Sequence, residues 1–144
     1  MQVLKFGGSS LADAANMLKA ADIIAKAVDR DRTIVIASAI YKCTDTLILI
    51  GNRAAAHDSS YMELLDELQR KHHQIIRELL PVEKHEESIE VCDETFASLR
   101  GIAKGVFLLG ELSTASLDAI QGCGELLSSR ILATKMASVG IPTK

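Results

Sequence analysis

Aromatic side chains and net charge are both scarce in this sequence. Of its 144 residues none is tryptophan, aromatic residues make up 3%, and the formal net charge is only -3. Nucleic-acid-binding proteins present basic surfaces to the phosphate backbone, often with aromatic side chains that stack on bases. The sequence has no basic stretch interleaved with aromatics. We therefore expect no nucleic-acid partner.

The sequence also lacks an apolar run long enough to cross a membrane, which takes about 20 residues. Met1 leads directly into a predicted strand, rather than into a charged stretch followed by the apolar core of a secretory signal. We therefore expect a cytoplasmic protein with no membrane partner.

Cysteine is sparse as well. Cys43, Cys92 and Cys123 are odd in number and far apart, which favours reduced thiols over a disulfide framework. None of the histidines stands at a metal-ligand spacing from these cysteines; they are His57, His72, His73 and His85. We expect no zinc site and no other dedicated metal site.

What the sequence does have is a hydrophobic content of 48%, enough for one domain with a real core, and no internal repeat. The apolar run Val3–Phe6 predicts a strand, and apolar residues at helical spacing predict a helix from about Ala12 to Val28. Thr33–Ala37 is a β-branched run suited to a second buried strand. Strand, helix and strand in this order predict two parallel strands with a helical crossover.

The remaining residues are predicted to be helical. Expected helices run from a cap at Thr44 or Asp45 to Ala55, from Ser60 to Leu80, from Glu83 to Leu109, and from a cap at Ser113 to Val139 with an interruption at Gly122-Cys123-Gly124. Within the second of these, one of the adjacent pair His72 and His73 is expected to face the core and the other solvent.

Two strands with four or five helices make a poor complete α/β domain, because parallel sheets usually have more strands. Gly140 is suited to the end of a helix, and Ile141–Lys144 resembles the approach to a third strand. We therefore expect the sequence to be part of a larger α/β domain.

The segment Lys5-Phe6-Gly7-Gly8-Ser9-Ser10 has the chemistry of a phosphate cradle. Glycine lets backbone N–H groups approach an anion closely, lysine adds a point charge, and a helix starting near Ala12 would aim its positive end at the same place. The order matches neither common nucleotide-binding fingerprint. On the residues alone, a plain strand-to-helix turn with a surface lysine is an equally good interpretation.

Two more segments could carry chemistry. The Ser38–Asp45 loop follows the second strand, at the sheet edge where open α/β proteins bind ligands. Glu125 follows the Gly122–Gly124 segment. The simpler interpretations are that Thr44 or Asp45 caps a helix and that Glu125 is a carboxylate favoured by the dipole in a first helical turn.

Together and in this order, these segments resemble the aspartokinases. The motifs are Lys5–Ser10, Ser38-Ala39 leading to Thr44-Asp45-Thr46-Leu47, Gly110-Glu111-Leu112-Ser113, and Gly124-Glu125-Leu126-Leu127-Ser128-Ser129. The resemblance implies an amino-acid-kinase fold, a three-layer α/β/α sandwich. Residues 1–144 would be the N-terminal part of the catalytic domain, an incomplete and helix-rich part with few parallel strands, without the nucleotide-base half and the regulatory domains.

The resemblance also implies transfer of the ATP γ-phosphoryl group to the β-carboxylate of L-aspartate, the first step of lysine, threonine and methionine biosynthesis. Lys5 matches the family's catalytic lysine on the transferring group, and Gly7, Gly8 and Ser9 match the phosphate-binding backbone. ATP would carry Mg²⁺ as its co-substrate ion, with no tightly bound cofactor.

By the same resemblance, Thr44, Ser38 and Glu125 are implied to bind aspartate, with Glu125 holding its α-ammonium group. Ser9 stands where threonine is commoner, and Tyr41-Lys42-Cys43 replaces a commoner small Gly-Val-like stretch. The resemblance further implies a homo-oligomeric parent enzyme, and we expect residues 1–144 alone to be inactive.

Two other classes of function remain open on the sequence. Another amino-acid kinase, acting on glutamate, carbamate or a nucleoside monophosphate, would share the sandwich and the glycine loop. A catalytically empty binding or assembly module would keep the helices without the activity. Thr44 and the Gly124-Glu125 pair favour aspartate over the first alternative.

Overall fold

A two-stranded parallel sheet and a group of long helices make up the structure. The computed structural model describes residues 1–144. In chain order the strands and helices are β1 (Gln2–Phe6), α1 (Ala14–Val28), β2 (Thr33–Ala37), α2 (Cys43–Ala55), α3 (Tyr61–Leu79), α4 (His85–Leu109) and α5 (Thr114–Ser138). Short 3-10 turns cover Gly8–Leu11 and Val82–Lys84.

The predicted strand, helix and strand unit is confirmed. β1 and β2 pair in parallel, in a register that runs from Gln2 opposite Thr33 to Phe6 opposite Ala37. Helix α1 supplies the long crossover that parallel strands need. Both strands therefore end at the same edge of the sheet.

The helices predicted from Ser60 to Leu80 and from Glu83 to Leu109 are confirmed with small changes at their ends. α3 stops at Leu79 because Pro81 cannot continue a helix and restricts the residue before it. α4 runs through Gly101 and Gly105 and ends at Gly110, which adopts a left-handed conformation with φ of 68°. None of the helices combines the length and the apolar composition that a bilayer crossing requires.

The predicted interruption of the last helix is wrong. α5 is continuous from Thr114 to Ser138, and Ser113 caps it as predicted by accepting a hydrogen bond from the backbone N–H of Ser116 at 3.0 Å. The segment Gly122–Gly124 therefore lies inside a helix, where each glycine costs about 1 kcal/mol relative to alanine. Glu125 lies near the middle of α5, so the interpretation that a first-turn dipole accounts for this carboxylate is also wrong.

Helices cover only one face of the sheet. Phe6 and Val35 belong to the side that packs against the core. Successive side chains of a strand point to opposite faces, and the other face carries Val3 and Ile34, which are 56% and 49% exposed. Lys5 shares this open face with them, because it follows the same alternation.

His72 is the most deeply buried polar side chain of α3. It is fully buried, and its ring Nδ1 lies 2.7 Å from the carbonyl oxygen of Leu68. Its Nε2 is buried without a hydrogen-bond partner, and the ring packs edge-on against Phe96 with 5.5 Å between centroids. His73 is half-buried, so the prediction that one of the pair faces the core is confirmed.

Burial lowers the pKa of His72 to about 4, and this predicts a pH-dependent stability. The unfolded chain takes up the proton near pH 6.5 but the folded chain only near pH 4, so the unfolded state binds more protons between these values. The free energy of unfolding should therefore fall as pH falls through this window, by up to roughly 3 kcal/mol from this group.

Urea unfolding from pH 7.5 to pH 4, with His72→Met compared against the unchanged chain, measures this contribution. The variant should lose less stability on acidification than the unchanged chain does. Parallel pH profiles for the two proteins would contradict the assignment.

Candidate active site

The carboxyl ends of β1 and β2 meet at one edge of the sheet. Phe6 lies opposite Ala37, and the backbone N–H of Ser38 donates to the carbonyl oxygen of Phe6 at 3.0 Å. The glycine loop (residues 7–10) and the β2–α2 loop (residues 38–42) therefore leave the sheet side by side. Two of the three predicted segments meet at this edge, where ligands bind in open α/β proteins.

Gly8 is the point of contact between the two loops. A Cβ atom built on Gly8 would lie 3.2 Å from the carbonyl oxygen of Ala39 and 3.5 Å from the Cα of Tyr41, so a side chain there would fit tightly between the loops. Gly7 is different. Its φ is an ordinary -78°, and a Cβ atom on it would meet nothing within 4 Å. Packing within the chain therefore leaves little room for a side chain at Gly8 but open space at Gly7.

The glycine loop, rather than the start of α1, offers free backbone donors. Gly8 and Ser9 begin a 3-10 turn, so their N–H groups have no partner within that turn. α1 begins two residues later than predicted, and the Asp13 carboxylate caps it by accepting a hydrogen bond from the Asn16 N–H at 2.8 Å. The Asp13 carboxylate offsets part of the positive end of α1, and the aim of this terminus at an anion stays a prediction.

Lys5 lies on β1 two residues before Gly7. It is exposed, its Cα is paired with that of Ile36, and it belongs to none of the ion pairs in the structure. Two residues of strand span about 6.6 Å, which a flexible four-carbon side chain can cover. The ammonium group can therefore reach the space beside the glycine loop.

The β2–α2 loop is turned by a left-handed residue. Lys42 has a φ of 61° and directly precedes α2, whose first residue is Cys43. The prediction that Thr44 or Asp45 caps this helix is wrong, because both lie inside its first turn. Lys71 of α3 donates from its Nζ to the carbonyl oxygen of Tyr41 at 3.2 Å, which connects the loop to α3.

Gly124 explains why the Gly-x-Gly segment leaves α5 unbroken. A Cβ atom built on Gly124 would lie 2.8 Å from the Cβ of Ala39, 3.2 Å from a methyl carbon of Leu47 and 3.3 Å from the Sγ of Cys43. Only glycine lets α5 approach the β2–α2 loop this closely. The pattern that predicted a helix break instead marks a contact between a helix and a loop.

Glu125 is the next residue after Gly124, and its charge affects the pKa of Cys43. Burial, and after it the nearby Glu125 carboxylate, raises the pKa of the Cys43 thiol to about 12, while the charge of Lys71 acts in the opposite direction. Cys43 is therefore a neutral packing residue and no nucleophile. Glu125 itself is exposed, and Thr44 in the first turn of α2 is half-buried.

The structure thus brings the predicted residues together at one end of the sheet. The glycine loop contacts the β2–α2 loop, and that loop contacts α5 next to Glu125. Sequence reasoning missed Lys71, which contacts the loop from 30 residues away. No local pattern distinguishes it from any other exposed lysine of an amphipathic helix.

His73, Cys92 and Asp93 place possible metal ligands within 4.8 Å of one another, which the sequence spacing did not indicate. Asp93 is already bonded there, to the His73 ring at 2.5 Å and to the Gln69 amide at 2.7 Å. Burial raises the pKa of Asp93, but these bonds and the charges of His73 and Arg100 bring it below its ordinary value. The cluster is a hydrogen-bond network that links α3 to α4, and we assign no metal to it.

Comparison with known proteins identifies related sequences over the whole length. The model of the amino acid kinase family matches residues 1–144. The chain is 32% identical over 140 residues to chloroplastic aspartokinase 3 of Arabidopsis thaliana, covering 96% of this chain and 24% of that protein. It is 28% identical over 140 residues to chloroplastic bifunctional aspartokinase/homoserine dehydrogenase 1 of Zea mays, covering 97% of this chain and 15% of that protein. The chain spans about a quarter of the length of the first relative and less of the second.

Solved structures share the fold. Escherichia coli aspartokinase III in complex with lysine and aspartate, in its T-state, superposes with a TM-score of 0.83 at 22% identity, over 98% of this chain and 30% of that one. The same enzyme in complex with aspartate and ADP, in its R-state, superposes with a TM-score of 0.79 at 24% identity. The superposition covers 97% of this chain and 29% of that one. The predicted fold class, an incomplete and helix-rich part of an amino-acid-kinase fold, is confirmed.

Proposed function

The chain belongs to the amino acid kinase family, and from this premise we propose that it is the N-terminal part of the catalytic domain of an aspartate kinase. The proposed reaction moves the γ-phosphoryl group of ATP to the β-carboxylate of L-aspartate, giving ADP and aspartyl phosphate. The P–O bond to the ADP leaving group breaks and a P–O bond to the carboxylate forms. The similarity to aspartokinases along the whole chain supports this choice of substrates.

One observation carries the proposal. Two glycines lie close to Ala39 of the β2–α2 loop, Gly8 next to its carbonyl oxygen and Gly124 next to its Cβ atom. The glycine loop and the residue before Glu125 therefore both lie next to a single residue. Phosphoryl transfer between two bound substrates depends on such adjacency, because catalysis here is mainly positioning and charge stabilisation.

On the phosphate side, the proposed ligands are Lys5 and the loop of Gly7, Gly8 and Ser9. The open space at Gly7 and the free N–H groups at the start of the 3-10 turn suit close approach of an anion. The Lys5 ammonium would offset charge on the equatorial oxygens of the transferring group. Mg²⁺ is expected to arrive with the ATP phosphates rather than in a cage of protein ligands.

On the acceptor side, Glu125 is proposed to hold the α-ammonium group of aspartate, while Ser38 of the β2–α2 loop and Thr44 of α2 contact the substrate. Glu125 is exposed and so available to a ligand. Its charge, after burial, raises the pKa of the nearby Cys43 thiol, which stays neutral. No covalent enzyme intermediate is needed, since the substrate carboxylate is itself the nucleophile.

The same assignment extends to the cellular role. We propose that the complete enzyme is homo-oligomeric, acts in the cytoplasm, and supplies the first step of lysine, threonine and methionine biosynthesis. The Arabidopsis and maize relatives carry chloroplastic names, so the proposed compartment differs from theirs and needs its own test.

Trapping the product tests the proposed reaction. The complete enzyme, incubated with ATP, Mg²⁺, aspartate and hydroxylamine, should form aspartyl hydroxamate in proportion to the ADP released. ADP release without hydroxamate would overturn the proposed acceptor.

Residues 1–144 alone should show no measurable turnover, because the chain spans about a quarter of the relative it matches and a phosphoryl-transfer site needs groups on both sides of the transferring phosphate. A coupled ADP-release assay with ATP, Mg²⁺ and aspartate measures this, with Lys5→Ala as the background control. Sustained turnover of the unchanged chain above that control would show that the site is complete within these residues.

A further inference from the structure

Ser128 joins α5 to the start of the β2–α2 loop. Its side chain is fully buried, and its Oγ donates to the carbonyl oxygen of Ser38 at 2.7 Å, across 90 residues of sequence. The same Oγ lies 3.2 Å from the carbonyl oxygen of Glu125 in its own helix. A hydroxyl has one proton to donate, and the shorter distance places it on Ser38.

This bond forms the second of two contacts between the helix and the loop. Gly124 lies against Ala39, and one helical turn further along α5, Ser128 bonds to the preceding loop residue, Ser38. The van der Waals contact at Gly124 sets the distance between α5 and the loop, but such a contact does not depend on direction. The hydrogen bond is directional, so it sets where along the helix the loop is held.

We propose that Ser128 is a positioning residue for the acceptor site, a role that rests on the proposed function. Glu125 is on α5 and Thr44 follows the β2–α2 loop, and an acceptor must meet both at once. Without the Ser128 hydroxyl, the Ser38 carbonyl loses its buried partner and the loop is free to shift relative to Glu125. The glycine loop touches the β2–α2 loop at Ala39 and Tyr41 rather than at Ser38, so ATP binding should be less affected than aspartate binding.

The test compares Ser128→Ala with Ser129→Ala in the complete enzyme. Ser129 is a matched control: it is the next residue of α5, it is exposed, and its Oγ makes the same kind of contact within the helix, at 3.2 Å from the Leu126 carbonyl oxygen. Ser128→Ala should raise the KM for aspartate about five- to tenfold, the size expected for losing one buried hydrogen bond. The KM for ATP should stay within about twofold, and Ser129→Ala should change neither.

A third variant, Ser128→Thr, keeps the hydroxyl and should keep the aspartate KM within about twofold of the unchanged enzyme. An unchanged aspartate KM in Ser128→Ala, with only a lower melting temperature, would overturn the positioning role, as would equal rises in both KM values. Failure of the unchanged enzyme to phosphorylate aspartate would instead overturn the proposed function, so the two failures are distinct.

Discussion

Replacing Lys5 with alanine should lower the turnover number of the complete enzyme about 100- to 1000-fold, the loss typical of removing one group that stabilises charge in a transition state. Lys5 projects from the open face of β1 beside the glycine loop and has no ion-pair partner within the chain. Its charge is therefore available to the phosphoryl group. Because this charge acts mainly as the phosphoryl group transfers, the KM for aspartate should change far less than the turnover number.

Steady-state kinetics with both substrates varied measure this effect. Lys19→Ala is a suitable control, because Lys19 is also an exposed lysine, on α1, and has no proposed role. A Lys5→Ala enzyme with the turnover number of that control would show that Lys5 is a surface lysine only.

Replacing Glu125 with glutamine should raise the KM for aspartate roughly 10- to 100-fold, since hydrogen bonds to charged groups contribute about 1.5 to 3 kcal/mol. Glutamine keeps the shape of the side chain and removes the charge that we propose faces the α-ammonium group. The turnover number at saturating aspartate should change less, which is the signature of an interaction made equally in the ground state and the transition state.

Glu90→Gln is the matched control, because Glu90 is an exposed glutamate of α4 with no proposed role. An unchanged aspartate KM in Glu125→Gln would refute the substrate-binding assignment. A helix-terminus role could not then replace it, because Glu125 lies in the middle of α5.

The parts of the fold that could be predicted from sequence are those set by local patterns. The β-branched run Thr33–Ala37 and the helical spacing of α3 and α4 each specify an element without reference to the rest of the chain. The predicted interruption at Gly122–Gly124 is wrong because the role of Gly124 depends on a contact with a distant part of the chain. Gly124 is needed where α5 meets Ala39, and a local pattern cannot distinguish a glycine that ends a helix from one that lets a helix approach a loop.

The sequence allowed the residues of the candidate site to be predicted, but not the contacts that bring them together. The glycine loop and Glu125 could be selected by their resemblance to a family, and their roles stay predictions. The approach of Gly8 and Gly124 to Ala39, and the bond from Ser128 to Ser38, join residues far apart in sequence. Such contacts arise from the packing of α5 on the sheet edge, which no single segment encodes.

Acceptor competition tests the central claim most directly. The complete enzyme should be given ATP and Mg²⁺ with aspartate, glutamate, carbamate or a nucleoside monophosphate, and kcat/KM measured for each. We predict that aspartate is the preferred acceptor and that Glu125→Gln reduces this preference. A higher kcat/KM for any other acceptor, or no phosphorylation of any of them, would contradict the assignment of this chain to an aspartate kinase.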